Sequence, residues 1–314
     1  MRAIESYRDE TNRIFAEAAE EIAAFPAGLS GIGLDMLARC DPSKNGGKTN
    51  GISYLLPYWF RERTGGPIEL CRDLAVGSLL MMLHYFVLDD AMDRGTDTRH
   101  GGIRWPLALG QLLQERFRQR YEWHFPSGSP LWDYYRKYLQ EWAFAVHREP
   151  EIQANPREIG QLAGKAAPVK IGAAGMLLRA GQAEGIPDAE EAVELALAVL
   201  QLSDDWADWR EDLPESNRNA FLTLVRERLS MSASDPLDER SVRQAIFRHQ
   251  ALDKLADIAE AYGERLGRSS CAPVDLIDFL STIAKDIRKG AITAEESTRR
   301  LADGGGLDYY LSKF

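Results

Sequence analysis

Apolar residues recur three and four positions apart along almost the whole of this 314-residue chain, while the alternating runs of half-buried strands are scarce. That periodicity predicts an all-α protein. The helices it outlines run over about 2–24, 29–40, 51–63, 68–93, 103–123, 130–148, 156–184, 188–212, 217–231, 237–268, 273–289 and 293–302. Loops fall at 41–48, 94–102 and 213–218.

Two of these helices end in acid. The apolar run 79–88 leads into Asp89-Asp90-Ala91-Met92-Asp93, and the run 195–202 leads into Asp204-Asp205-Trp206-Ala207-Asp208-Trp209-Arg210-Glu211-Asp212. Residues four apart share a helix face, so Asp89 stacks with Asp93, and Asp204, Asp208 and Asp212 form a second column. Each like-charged pair costs a helix about 0.2–0.5 kcal/mol, and more where Leu, Met, Phe and Val keep water away. One such run in an acidic protein is an ordinary solvated helix end. Two, each extending a helix that reads as buried, call for a positive partner. Hard divalent cations suit this role, and Mg²⁺ in particular takes one or two carboxylates with water and substrate phosphates.

The bulk numbers narrow the setting. A formal charge of −10 disfavours nucleic acid or an anionic membrane as a general partner. The three cysteines, Cys40, Cys71 and Cys271, have neither the spacing of a zinc site nor that of a disulfide framework, which fits a reducing cytoplasm. The charged start of the chain lacks a signal peptide's apolar core. The apolar stretch 74–88 falls short of the roughly 20 residues needed to span a bilayer, so no integral membrane contact is expected. No composition break divides the chain, and a single domain over 1–314 is expected.

The motifs and their order resemble those of the isoprenyl diphosphate synthases and the wider class I terpenoid synthase superfamily. Asp89-Asp90-Ala91-Met92-Asp93 followed by Thr98-Arg99-His100-Gly101-Gly102 is similar to the DDxMD and TRRG of farnesyl diphosphate synthases, although Arg99 lies one residue further on than in the family. Gln201 with Asp204, Asp205 and Asp208 is similar to QxxDDxxD, Gly46-Gly47-Lys48 to the start of GGKxxRP, and Lys165 to a substrate-binding lysine upstream of the second motif. The resemblance implies a single-domain class I isoprenoid synthase helical bundle with two facing aspartate-rich helices. It implies about three Mg²⁺ ions held by Asp89, Asp90, Asp93, Asp204, Asp205 and Asp208, and a homodimer. Asp89, Asp93, Asp204 and Asp208 are the expected catalytic residues. Arg99, Lys165, Lys48, Gln201 and Arg218 are the candidates for the diphosphate. Tyr85, Phe86, Trp206 and Phe221 are those for the hydrocarbon pocket, with Tyr54 and Trp59 as further aromatics that core packing would equally explain.

The departures from the family pattern carry more information than the matches. Chain elongation needs a second, basic site for isopentenyl diphosphate. Where the family has the Arg of GGKxxRP, a His or Gln seven residues before the first Asp, and the second Arg of RRG, this chain has Gly51, Met82 and His100. Arginine's bidentate fork is lost at two of these places, and neither Gly nor Met replaces what was there. The expected activity is therefore a lyase. It would be a terpene synthase that ionises one allylic prenyl diphosphate, C15 or C20, linear or precyclised, to pyrophosphate and a terpene hydrocarbon or alcohol. A trans-prenyltransferase with an altered isopentenyl site is the nearest alternative. A non-catalytic prenyl diphosphate-binding partner of a synthase is another.

Overall fold

The computed structural model describes residues 6–44, 50–94, 104–149 and 151–303. Their regular elements are all helical, and no strand occurs among the described residues. In chain order the α-helices are α1 Arg8–Ala23, α2 Leu29–Cys40, α3 Ile52–Trp59, α4 Arg61–Thr64, α5 Ile68–Arg94, α6 Arg104–Glu122, α7 Leu131–Arg148, α8 Ile159–Gly164, α9 Ile171–Arg179, α10 Ile186–Ala207, α11 Ala220–Leu229, α12 Glu239–Arg248, α13 Ala251–Gly267 and α14 Val274–Asp303. Short 3-10 segments lie at Ala167–Lys170, Ala183–Gly185 and Leu213–Arg218.

Local chemistry explains where these bounds depart from the periodicity. The predicted helix 156–184 is broken into α8, a 3-10 turn and α9, and Pro168 inside that turn has no N–H to continue a ladder. The predicted helix 237–268 is two, because Gln250 takes a left-handed φ of 53° and separates α12 from α13. Conversely, 273–289 and 293–302 are one helix, α14, which runs through Gly290 without a break. The segment 51–63 divides into α3 and α4, and Gly65 (φ 64°) closes α4 in a conformation that glycine adopts freely.

The chain forms two compact units. The first is drawn from Met1–Tyr138, Pro168–Glu190 and Pro273–Leu276. Helix α5 is its core element, with α1, α3, α6 and α9 packed on it and α2 covering α1 and α6. Leu74, Leu79, Leu80, Leu83 and Val87 are fully buried along it, and each large apolar side chain so placed contributes about 1.5–3 kcal/mol. Gly77 lets α6 approach closely, since a Cβ there would lie 2.9 Å from the Tyr121 ring. Over Ile68–Met92 this helix is, among the described residues, the one long and apolar enough to cross a membrane. This corrects the expectation of too short a run, because the helix extends the apolar stretch at both ends. Two-thirds of its apolar window (67%) is buried by its own neighbours, as in a core helix. Ion pairs join the elements around it: Arg72 bonds both oxygens of Glu10 at 2.9 Å, and Arg120 bonds Glu17, Glu21 and Asp73.

The second unit is drawn from Leu139–Ala167, Glu191–Ala272 and Ile277–Phe314. Its α11 buries Phe221, Leu222, Leu224 and Val225 and packs against α12, α13 and the 3-10 segment Leu213–Arg218. Arg288 on α14 ties to Glu260 and Asp257 of α13.

Candidate functional site

The first acidic cluster occupies the last turns of α5, where burial follows the helix face. Leu83, His84 and Val87 are buried, whereas Phe86 and Asp89 are exposed and Asp90 is half-buried. Phe86, Asp89 and Asp90 stand at i, i+3 and i+4, so one exposed stripe carries an aromatic ring one turn below two carboxylates. Asp93 continues that register, but its side chain lies outside the described residues.

Tyr85 belongs to another face. Its ring meets His84 edge-on at 5.0 Å. Burial, with an added effect from Tyr135 on α7, pushes the phenol well above its ordinary pKa. His84 Nδ1 lies 2.8 Å from the Gly110 carbonyl, which can only accept, so Nδ1 carries the proton. Burial lowers the pKa of His84 and favours neutral imidazole. It is a satisfied core histidine. Met82, one of the three departures, is packed inside the unit at 5% exposure.

The second cluster departs from the predicted helix. α10 ends at Ala207, so Asp208 and Asp212 lie beyond it. The i+4 backbone bonds nevertheless persist, from Asp208 N–H to the Asp204 carbonyl (2.9 Å) and from Asp212 N–H to the Asp208 carbonyl (3.1 Å). The cause lies at the next carbonyl. Asp205 C=O, which a continuing helix would offer to Trp209 N–H, accepts the Asn219 amide at 2.7 Å.

Asp205 itself points inward. At 5% exposure, its Oδ1 accepts from Gln201 Nε2 and its Oδ2 from Ala220 N–H, both at 2.7 Å. Burial raises its pKa to about 7 against those two bonds, with Asp212 and Asp204 pushing the same way as burial. Asp204 and Asp208 are exposed, and Asp212 is half-buried. Asn219, 1% exposed, spends its whole amide here. It donates to Asp205 C=O and to Asp212 Oδ2 (2.8 Å), while its Oδ1 accepts Leu222 N–H (2.8 Å) and caps α11. Asn219 is not among the site residues that the motifs single out. An Asn just before an apolar helix is a cap signal, but its reach back to the aspartates is not local information.

Other predicted residues take packing or surface positions. Trp206 is half-buried against α14, where a Cβ on Gly290 would fall 2.4 Å from its ring. Phe221 is fully buried in α11, Tyr54 sits edge-on to Phe15 in the first unit's core, and Trp59 is buried nearby in sequence. Lys165 pairs with Glu149 at 2.6 Å and Arg218 with Glu215 at 2.5 Å. Lys48, Arg99 and His100 lie outside the described residues.

Among the described residues, no group of three or more His, Cys, Asp or Glu side chains converges as a metal site. In each unit taken by itself the acidic donors that face solvent are hard carboxylate oxygens, on Asp89 in the first and on Asp204 and Asp208 in the second. That chemistry fits a cation which keeps several waters and takes phosphate oxygens for the rest of its shell. Asp205, with both oxygens engaged by protein donors, is placed as a brace for its neighbours. No known family model and no curated protein sequence matches the chain.

Proposed function

We propose that this chain is a Mg²⁺-dependent class I terpene synthase that ionises one allylic prenyl diphosphate and releases pyrophosphate with a terpene hydrocarbon or alcohol. One observation carries the reading above the others: two aspartate motifs in the order DDxMD then QxxDDxxD, each at the end of an apolar helix, with Asp89, Asp204 and Asp208 exposed. Bound Mg²⁺ would supply charge neutralisation on the departing pyrophosphate.

The chain's own residues have the remaining tasks. Asp89, Asp90 and Asp93 are assigned as one set of carboxylates, and Asp204 and Asp208 as the other. Arg99, Lys48, Lys165 and Arg218 are the cations assigned to the diphosphate, for which Lys165 and Arg218 would exchange their glutamate partners. Phe86 offers an aromatic face that stabilises an allylic cation and excludes water from it. Gly51 and Met82 support the cyclase reading over chain elongation, because neither side chain can bind a second diphosphate and Met82 is buried.

Feeding purified protein with Mg²⁺ and farnesyl or geranylgeranyl diphosphate, with and without isopentenyl diphosphate, tests this. Gas chromatography of a solvent extract should show a terpene in both arms. A longer prenyl diphosphate formed only with the co-substrate would establish the elongase instead.

A further inference from the structure

We propose that Asn219 is a positioning residue for the second aspartate cluster, its buried amide fixing how Asp204, Asp208 and Asp212 are presented to a diphosphate-bound cation. This inference rests on the function proposed above. Its basis is the geometry. An Asn side chain has two N–H donors and one acceptor oxygen, and here all are used, on Asp205 C=O, Asp212 Oδ2 and Leu222 N–H. The first bond ends α10 directly after Asp204 to Ala207. The second holds the carboxylate of Asp212 at the far end of the acidic turn. The third anchors the amide to the first turn of α11, whose side chains are buried. Ala220 N–H, the next donor along, grips Asp205 Oδ2. The acidic turn is thus fixed to the start of a core helix at two adjacent residues.

Partners of this kind orient carboxylates, and their loss weakens metal affinity by about tenfold to a hundredfold. Serine caps a helix as well as asparagine does but has no amide to donate. Asn219→Ser therefore retains the cap and removes the two bonds to the acidic turn.

The test is isothermal titration of metal-stripped protein with Mg²⁺ in the presence of inorganic pyrophosphate, alongside thermal melts of the same samples. Asn219→Ser should raise half-saturating Mg²⁺ by about tenfold or more. Asp238→Ala, which removes the cap bond to Ser241 N–H on α12, should leave it within about twofold although it also lowers the melting temperature. Should Asn219→Ser fail to give a cooperative melt, Asn219→Asp serves in its place, keeping the cap while setting a carboxylate against Asp212. Asp212→Ala should reproduce most of the shift, and the double variant should add little to it. An unchanged half-saturation in the Asn219 variants, an equal shift in Asp238→Ala, or additive shifts at Asn219 and Asp212 would each overturn the positioning role. If the wild type itself shows no Mg²⁺-dependent pyrophosphate binding, the proposed function fails and this inference with it.

Discussion

Gln201 Nε2 donates to Asp205 Oδ1 at 2.7 Å across one turn of α10, drawing Asp205 into the interior while Asp204 beside it stays in solvent. Adjacent aspartates of one motif thus have opposite environments, and their substitutions should have opposite signatures.

Asp205→Ala strips the acceptor from the buried Ala220 N–H and from the Gln201 amide. An unpaired buried donor costs about 1–3 kcal/mol, so urea unfolding should show a loss of that order. Asp205→Asn keeps one acceptor for Ala220 N–H and lets the Gln201 amide turn to accept the other bond, so its loss should be smaller. Asp204→Ala should change stability by less than about 0.5 kcal/mol, as at most exposed sites.

The raised pKa of Asp205 has a definite sign in stability. Burial lifts it to about 7, so over the interval from the ordinary carboxylate range to about pH 7 the native state holds a proton that the unfolded chain has released. Its favourable contribution is complete below that range and is lost as pH rises through about 7. The urea midpoint of metal-free wild type should include a fall between about pH 5 and 8 that is missing in Asp205→Asn.

Glu10 behaves in the opposite sense. The hydrogen bonds from Arg72, helped by the one from Tyr58, hold its carboxyl below the ordinary value. The associated stability is present above the ordinary carboxylate range and disappears as pH falls through the depressed pKa. Glu10→Gln should lose about 1–2 kcal/mol at pH 7, moderated by the pair's partial solvent access, and should unfold in acid with a shallower pH dependence. Urea titrations between about pH 3 and 7 check both.

Gly290 allows Trp206 to lie on the backbone of α14, and a Cβ there would stand 2.4 Å from the indole. Gly290→Val should destabilise by about 1–3 kcal/mol, and Trp206→Ala in the same chain should recover part of the loss. An additive double variant would contradict the contact.

These residues also show what could be read before the structure. The all-α class followed from apolar spacing, because an amphipathic helix writes its buried face into the chain every three or four positions. The end of α10 did not, because it is set by Asn219, fourteen residues beyond Asp205, whose carbonyl takes its amide. Gly290 fell between two predicted helices, yet one helix runs through it, and the missing side chain there leaves room for Trp206, distant in sequence. The buried partner of a DD pair is equally silent in sequence: nothing local distinguishes Asp204 from Asp205 until Gln201 and Ala220 N–H are in place.

Phe86 and Tyr85, neighbours in sequence, differ in surroundings in the same way. Phe86 is 37% exposed on the stripe that carries Asp89 and Asp90, whereas Tyr85 packs toward Tyr135. Phe86→Ala should alter the terpene product profile with a stability loss of about 1 kcal/mol or less. Tyr85→Ala should cost about 3 kcal/mol or more, as for other large-to-small core changes. Product chromatography together with thermal melts distinguishes the two.

The most direct measurement is pyrophosphate release from farnesyl and geranylgeranyl diphosphate in a metal-stripped preparation, with Mg²⁺ restored and isopentenyl diphosphate left out. One pyrophosphate should appear per terpene formed, only with Mg²⁺, and Asp89→Ala and Asp204→Ala should each reduce the rate by at least about a hundredfold, or roughly 2.7 kcal/mol of transition-state stabilisation. Release that persists without Mg²⁺ or in both aspartate variants, or no release from either substrate, would contradict the account.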